Sequence, residues 1–353
     1  MIYDIRLQHF RSYADEAFEF TPGVNIIVGP NASGKTNLLE SILVVAQGSS
    51  YRVSDSELLA YDQPWARLDA RDDTGLRTVK IVTEPRPAKT YEIEGKLYRR
   101  LSMQKSIPTV VFEPNHLFMF SGAPELRRSY LDGLLEQIQP GYSTLRKDYR
   151  RVLAQRNALL KKLGPAAAGQ IFPWNIRLSE LGGRIARARL ELLNGMNVQA
   201  SGLYGSLAHK NEQHKQTVEL QYETKLPTDS YESGLLRLLE ATIDLDVARG
   251  FTGNGPHRED LRVLINGRLA QTSASRGETR TAVLMLKVME LQLVQQARGT
   301  APLLLLDDVF SELDGARRQA LTNYLQDYQT FITTTDADVV VHHFMDKSHI
   351  IPL

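Results

Sequence analysis

The chain has 353 residues, of which 42% are hydrophobic and 24% charged, the balance of a globular protein with room for one full core and a second subdomain. It contains no cysteine, which removes disulfides, thiolate catalysis and thiolate metal sites, and no apolar run of about 18 residues that could cross a bilayer. A net charge of +1 conceals an asymmetry: residues 121–200 carry 13 Lys and Arg against 6 Asp and Glu, so the rest of the chain is acidic.

The opening residues Met1-Ile2-Tyr3-Asp4-Ile5-Arg6 alternate like a strand and lack the apolar block of a signal peptide, so the expected location is the cytoplasm, with no membrane involvement. Strands are predicted at Ile5 to Phe10, Ala17 to Phe20 and Val24 to Val28. The third runs straight into Gly29-Pro30-Asn31-Ala32-Ser33-Gly34-Lys35-Thr36, a G-x-x-x-x-G-K-T loop of the kind that wraps nucleotide phosphates. Glycines let backbone N–H groups turn inward at the positive end of the predicted helix Thr36 to Gln47. Lys35 supplies a point charge to the outer phosphates, and the Thr36 hydroxyl is placed to hold Mg²⁺. Further strands follow at Ala66 to Leu68, Val79 to Val82 and Val110 to Phe112, with Asp72-Asp73-Thr74-Gly75 as a hairpin turn.

From Pro124 the period becomes helical. Wound as a helix, Leu145 to Leu163 gathers Leu145, Tyr149, Val152, Leu153, Leu159, Leu160 and Leu163 on one face and Arg146, Lys147, Arg150, Arg151, Lys161 and Lys162 on the other. Arg156 falls inside the apolar stripe, where it requires a carboxylate or several carbonyls, so its expected role is structural. A second stripe joins Trp174, Leu178, Leu181, Ile185 and Leu192, leaving Arg177 and Arg184 off it. After Gly250 the strand and turn pattern returns, which predicts an α/β head of residues 1–121 and 247–353 interrupted by a helical, basic arm of residues 122–246.

Leu303-Leu304-Leu305-Leu306-Asp307-Asp308 reads as a central strand delivering two acids to the sheet's carboxyl edge. Asp307 is the expected Mg²⁺ partner through water, and Asp308 the group that orients or deprotonates an attacking water. Ser273-Ala274-Ser275-Arg276-Gly277-Glu278 heads the long helix Thr281 to Gln296, and Ser311-Glu312-Leu313-Asp314 follows the acidic strand. Ser275 and Glu278 also have the S-x-x-E form of a capping box, a reading compatible with phosphate binding.

The order of phosphate loop, Ser-x-Gly-Glu, acidic strand and Ser-x-Leu-Asp resembles the ABC-type ATPases. Within them the chain resembles the RecF family, bacterial DNA-repair and recombination-mediator ATPases related to the SMC heads. The resemblance rests on Phe10-Arg11-Ser12-Tyr13, Gly122-x-Pro124-x-x-Arg127-Arg128-x-x-Leu131-Asp132, Arg156-Asn157-x-Leu159-Leu160-Lys161, Gly255-Pro256-His257-Arg258-x-Asp260 and Ser275-Arg276-Gly277. It implies ATP and Mg²⁺ as cofactors and an ATP-dependent homodimer. Ser275, Arg276, Gly277 and Glu278 would then close on the γ-phosphate held by a second copy, with Asp314, Arg11 and Ser12 also beside nucleotide. It further implies binding to duplex DNA or to a junction or gap, and action with RecR and RecO in loading RecA. Arg146, Arg150 and Lys161 are the candidate DNA contacts, although a basic helix face is ordinarily just solvated. His257 could touch DNA or nucleotide, or hold a turn by a structural hydrogen bond.

Three departures from the ABC pattern point to slow hydrolysis. Thr333-Thr334-Thr335-Asp336 offers no imidazole where a switch His is common, Pro108-Thr109-Val110-Val111 offers no Gln, and Asp308 stands where Glu is usual. A transporter engine would leave the basic block without use, a small-molecule kinase would leave the Ser275 and Ser311 motifs without purpose, and a long-armed SMC-like protein would need heptads that the chain lacks.

Overall fold

The computed structural model describes residues 1–208, 216–336 and 348–353. The chain divides into two compact units, residues 1–117 with 283–353 and residues 118–282. In chain order the first unit opens with β1 (Ile2–Phe10), β2 (Tyr13–Glu19), β3 (Val24–Val28), α1 (Lys35–Gln47), β4 (Trp65–Asp72), β5 (Gly75–Val82), β6 (Ala88–Ile93), β7 (Lys96–Tyr98) and β8 (Thr109–Phe112). The second unit holds α2 (Pro124–Ile138), α3 (Tyr142–Leu163), α4 (Phe172–Leu207), β9 (Val218–Glu223), α5 (Tyr231–Ala241), α6 (Ile243–Arg249), β10 (Asp260–Ile265), β11 (Arg268–Leu269) and α7 (Ala270–Ser273). Helix α8 (Arg276–Arg298) carries the chain back to the first unit and to β12 (Leu303–Asp307), α9 (Val309–Glu312), α10 (Gly315–Leu325), β13 (Thr330–Thr334) and β14 (Ser348–Pro352).

Two sheets build the first unit. One is antiparallel, six-stranded, in the order β2-β1-β4-β5-β6-β7, and its alternating burial, as in Ile2, Ile5 and Leu7 of β1, shows one covered face. The other is five-stranded, in the order β14-β3-β13-β12-β8, and its ladders are parallel. Every residue of β12 and of β13 is buried, as central parallel strands require. Helix α1 is buried from Leu38 to Ala46, because it packs against strands of both sheets and shares their core with Ile5, Leu7, Leu68, Leu305 and Phe331. The parallel registers align the carboxyl ends of neighbouring strands: Phe112 pairs with Leu306, Asp307 with Thr333, and Thr334 with Val28. That alignment creates the site.

In the second unit, α4 packs against α2, α3, α5 and β9. A Cβ on Gly182 would stand 2.9 Å from Leu235 Cδ2, so the bare backbone there permits the close approach of α5. Buried cations tie the unit together. Arg127 grips Asp260, and Arg189 reaches Asp132 at 2.9 Å and the Pro256 carbonyl at 2.8 Å. Arg156, 0% exposed, donates to Asp246 and Thr252 at 2.7 Å and to Asn175 at 2.8 Å, which is the structural role expected of it.

The expected boundaries need correction. The helical unit is not all helix, since β9 pairs antiparallel with β10, and β10 with β11, in a three-stranded sheet. Because α2 and α7 pack on β10, the stretch after Gly250 belongs with the helices up to Ala282 rather than with the head.

Candidate functional site

The phosphate loop joins β3 to α1 as its motif predicts. A Cβ on Gly29 would lie 2.4 Å from Ser33 Oγ, and Gly34 adopts φ +103° with the Tyr13 hydroxyl only 2.9 Å from where its Cβ would be, so neither position accepts a side chain. Lys35 is 5% exposed and donates through Nζ to the Gly29 and Pro30 carbonyls, both at 2.8 Å. Ser33 Oγ is buried with no hydrogen-bond partner among the described residues, a donor directed into the loop's own turn. Tyr13 donates to the Gly34 carbonyl at 3.1 Å, and Asn37 Nδ2 donates to Ser12 Oγ at 2.9 Å, which places the Phe10-Arg11-Ser12-Tyr13 motif beside the loop. Arg11 itself turns to Glu40, with Nε 2.7 Å from Oε2, so its charge is neutralised by a carboxylate that is 0% exposed.

Asp307 is the hub. Its Oδ1 accepts from Thr36 at 3.0 Å and from Thr333 at 2.9 Å, and its Oδ2 accepts from the Tyr51 hydroxyl at 2.9 Å, with Arg52 Nη1 at 3.5 Å. Strand pairing explains this: Thr333 lies opposite Asp307 in the β12–β13 ladder, while Thr36 sits in the first turn of the helix that follows β3, the strand on the other side of β13. The next residue, Asp308, takes φ 53° and donates its backbone N–H to Thr333 Oγ1 at 2.9 Å. Burial, and then the charge of Asp307, raise the Asp308 carboxyl above its ordinary range, with Lys35 opposing them. A carboxylate so placed accepts a proton more readily than an exposed Asp.

Three neighbours of Asp307 were not singled out from the sequence. Tyr51 and Arg52 lie beyond the glycine that ends α1, and nothing in local spacing marks them. Glu113 follows β8, whose Phe112 pairs with Leu306, so it emerges beside Asp307 at the carboxyl edge. Burial raises its pKa first and Asp307 adds to this, while Arg52 and Lys287 oppose. The loop leaving this strand therefore begins at Glu113; Thr109, Val110 and Val111 are the strand itself rather than a Gln-type loop.

In the second unit Ser275 and Glu278 form the capping box: the Ser275 N–H donates to Glu278 Oε2 at 2.8 Å and the Glu278 N–H to Ser275 Oγ at 3.2 Å. Ser275 and Arg276 are exposed at the head of α8. Asp314 caps α10, accepting from the Arg317 N–H at 3.0 Å, with its side chain still 45% exposed. Arg146 is a correction. It lies at 3.1 Å from Asp132 and 2.7 Å from Glu136 and is 18% exposed, because α2 presents both acids to that side of α3. Arg150 and Lys161 remain exposed. His257 has the structural role: Nδ1 is 2.7 Å from the Tyr149 hydroxyl and Nε2 is 3.1 Å from the Thr252 carbonyl.

The residues fit magnesium and a nucleoside triphosphate. Hydroxyl and carboxylate oxygens suit a hard cation, while the partnerless Ser33 Oγ and the side-chain-free cradle at Gly29 and Gly34 suit phosphate. Phosphate loop, acidic strand and capped Ser-Gly helix on an α/β frame define an ABC-type ATPase head. The model of the RecF/RecN/SMC N-terminal domain family matches residues 1–349. The DNA replication and repair protein RecF of Heliobacterium modesticaldum is 36% identical over 343 residues, covering 94% of this chain and 91% of the relative. That of Bacillus cytotoxicus is 34% identical, covering 98% and 95%. A solved structure of the recombination mediator protein RecF-ATPrS in the RecFOR pathway superposes with a TM-score of 0.87 at 29% identity, covering 100% of this chain and 96% of that one. An SmcHead bound to the C-winged helix domain of ScpA shares the fold, with a TM-score of 0.53 at 15% identity. The chain belongs to the RecF family of SMC-related ABC-type ATPases.

Proposed function

We propose that this protein is an ATP-dependent DNA-binding recombination mediator. ATP-driven pairing of two copies clamps duplex DNA near single-stranded gaps, and slow hydrolysis releases it. The observation that carries the ATPase part is the convergence of Thr36 and Thr333 on one carboxylate oxygen of Asp307, beside a lysine that donates to two loop carbonyls. In this reading Lys35 exchanges the Gly29 and Pro30 carbonyls for phosphate oxygens, and Gly29 to Thr36 wrap the triphosphate. Thr36 and Asp307 hold Mg²⁺, which supplies charge neutralisation on the phosphate oxygens. Asp308 orients the attacking water and takes its proton. Ser275, Arg276, Gly277 and Glu278 of one copy, with Asp314, complete the site of the other.

The pathway assignment is supported by the relatives' names: DNA replication and repair for the curated relatives, and recombination mediator of the RecFOR pathway for the solved one. By that likeness the partners are DNA, RecR and RecO, with RecA loaded onto the gap. The location is cytoplasmic in this reading, and among the described residues no helix is long and apolar enough to cross a membrane. The absence of an imidazole at Thr333 to Asp336 and the short Asp308 support slow turnover.

Two variants test the paired site. Lys35→Met removes nucleotide binding and dimerisation together, whereas Ser275→Arg keeps nucleotide affinity but loses ATP-dependent dimerisation by sedimentation velocity. A Ser275→Arg protein that still dimerises with ATP as the parent does would reject the shared site.

A further inference from the structure

The loop from Arg249 to Asp260 lies along α3 and is pinned to it at three levels. His257 meets Tyr149 at 2.7 Å, Thr252 Oγ1 meets Arg156 at 2.7 Å, and a Cβ on Gly250 would stand 3.4 Å from Lys161 Cγ. The helix between Tyr149 and Lys161 measures roughly 18 Å at about 1.5 Å per residue, so the loop runs antiparallel to it over that length. Its fixing is internal. Asn157 accepts from the Thr252 N–H at 2.8 Å, Asp246 accepts from the Gly253 N–H at 2.9 Å, and Gly255 has φ +123° with the Tyr149 hydroxyl 2.7 Å from where its Cβ would be.

The inner side of this loop is charge-paired and the outer side is not. Asp246 is taken by Arg156, Asp260 by Arg127, and Glu259 by hydroxyls of Thr224, Tyr222 and Tyr231. Arg249, Arg258, Lys161 and the half-buried Arg128 have no carboxylate within ion-pair distance among the described residues. Arg258 is exposed and lies 4.8 Å over the ring of Phe251, which is itself 37% exposed. Arg128 donates to the Glu259 carbonyl at 3.1 Å; burial is the main cost to its charge, Asp260 and Glu125 favour that charge, and Arg189 and Arg258 repel it. Cations without a paired carboxylate beside an exposed phenyl ring offer both charge and a ring to an anionic, ring-bearing ligand.

Resting on the DNA-binding reading above, we propose that this loop is the contact for a single nucleic-acid strand. Backbone phosphates sit on Arg128, Arg258, Arg249 and Lys161, and an unpaired base stacks on Phe251. An acidic protein would use the charges but would leave the ring without a purpose, and a base inside a duplex has no free face to offer it. The preformed loop keeps the ordering cost of binding low.

The test is equilibrium binding of the full chain, with Mg²⁺ and a non-hydrolysable ATP analogue, to fluorescein-labelled oligothymidylate and to a blunt duplex at two KCl concentrations. Phe251→Ala weakens oligothymidylate binding about tenfold with the salt slope unchanged. Arg258→Gln and Lys161→Gln each weaken it and lower the slope of log K against log salt by about 0.7. ATP turnover without DNA equal to the parent's reports an intact fold. Unchanged affinity in all three variants, or a loss for polyglutamate and none for the oligonucleotide, overturns the proposal. So does a silent Phe251→Ala. If the parent binds no DNA at all, the mediator reading falls too; if the parent binds and the variants match it, only the loop assignment falls.

Discussion

Lys35 in the phosphate loop and Arg156 in the helical unit are both cations withdrawn from water, at 5% and 0% exposure, yet they are held in opposite ways. Lys35 donates to two carbonyls of its own loop, whereas Arg156 donates to the carboxylate of Asp246 and to Thr252 and Asn175. A cation resting on neutral carbonyls keeps most of its charge available to an incoming anion, while one neutralised by a buried carboxylate is committed to the fold. The same contrast recurs among the site candidates. Arg11 and Arg146 are paired with Glu40, Asp132 and Glu136, whereas Arg258 and Lys161 have no such partner among the described residues. Pairing separates scaffold from candidate ligand site better than charge alone.

The sharpest way to break this comparison is at Asp308, the raised carboxylate beside the hub. Asp308→Asn keeps the shape but cannot take a proton, and removal of a general base costs on the order of 10²- to 10⁴-fold in turnover. Steady-state phosphate release should fall by that factor while ATP binding and the ATP-dependent dimer persist. Turnover at the parental rate would place the base elsewhere, Glu113 being the next carboxylate at the same edge.

Next in size is Arg156→Met, which strips Asp246 of its partner inside the helical unit. Breaking one side of a buried ion pair costs roughly 3–5 kcal/mol, because the remaining charge has no water. The urea midpoint of that unit should drop accordingly while ATP binding by the first unit survives. Loss of both together would contradict the separation of a committed cation from a functional one.

Much of the candidate nucleotide site was legible because its parts are contiguous: Gly29 to Thr36 is one segment and Asp307-Asp308 another, each with a strand before it. Tyr51 and Glu113 were not, because each reaches Asp307 only through the tertiary arrangement, Glu113 by the register that sets Phe112 beside Leu306. Helical periodicity identified the buried face of α3, including Arg156, but it cannot say what packs beside a basic residue. Arg146 therefore looked free until α2 supplied its acids. Strand β9, Val-Glu-Leu-Gln-Tyr-Glu, alternates visibly, yet its partner β10 lies beyond two helices, and with it the boundary of the unit was misplaced.

A smaller effect separates His257 from the exposed groups around it. Burial, with Arg258, Arg128 and Arg156 adding to it, holds this imidazole down to about 4 against an ordinary 6.5, although its bond to the Thr252 carbonyl opposes the shift. Between those values the unfolded chain binds the extra proton, so stability falls as pH drops through that window, by about 1.4 kcal/mol per pH unit where the difference is full. His257→Gln keeps a donor and removes the titration. Its urea midpoint should change less between about pH 7 and about pH 5 than the parent's. Some slope will remain, since burial also lowers the pKa of His116. Equal slopes in the two proteins would mean that the imidazole is charged where it sits, and so is not the neutral hydrogen-bonded prop between Tyr149 and Thr252.

The least drastic probe is Tyr51→Phe, which leaves the ring and removes one hydroxyl from Asp307. Tyr51 is half-buried, and its hydroxyl is one of three that converge on the carboxylate, holding Oδ2 while Thr36 and Thr333 hold Oδ1. Losing an outer hydrogen bond that orients a metal-holding carboxylate costs on the order of 10-fold in metal affinity. The Mg²⁺ concentration for half-maximal binding of a fluorescent ATP analogue should rise by about that factor. Affinity measured without Mg²⁺ should stay put, since Lys35 and the loop amides are untouched. A fall in the Mg²⁺ requirement would give the opposite sign, making Tyr51 a competitor for the oxygen rather than its support. Arg52, 3.5 Å from the same oxygen, would then be the next residue to neutralise.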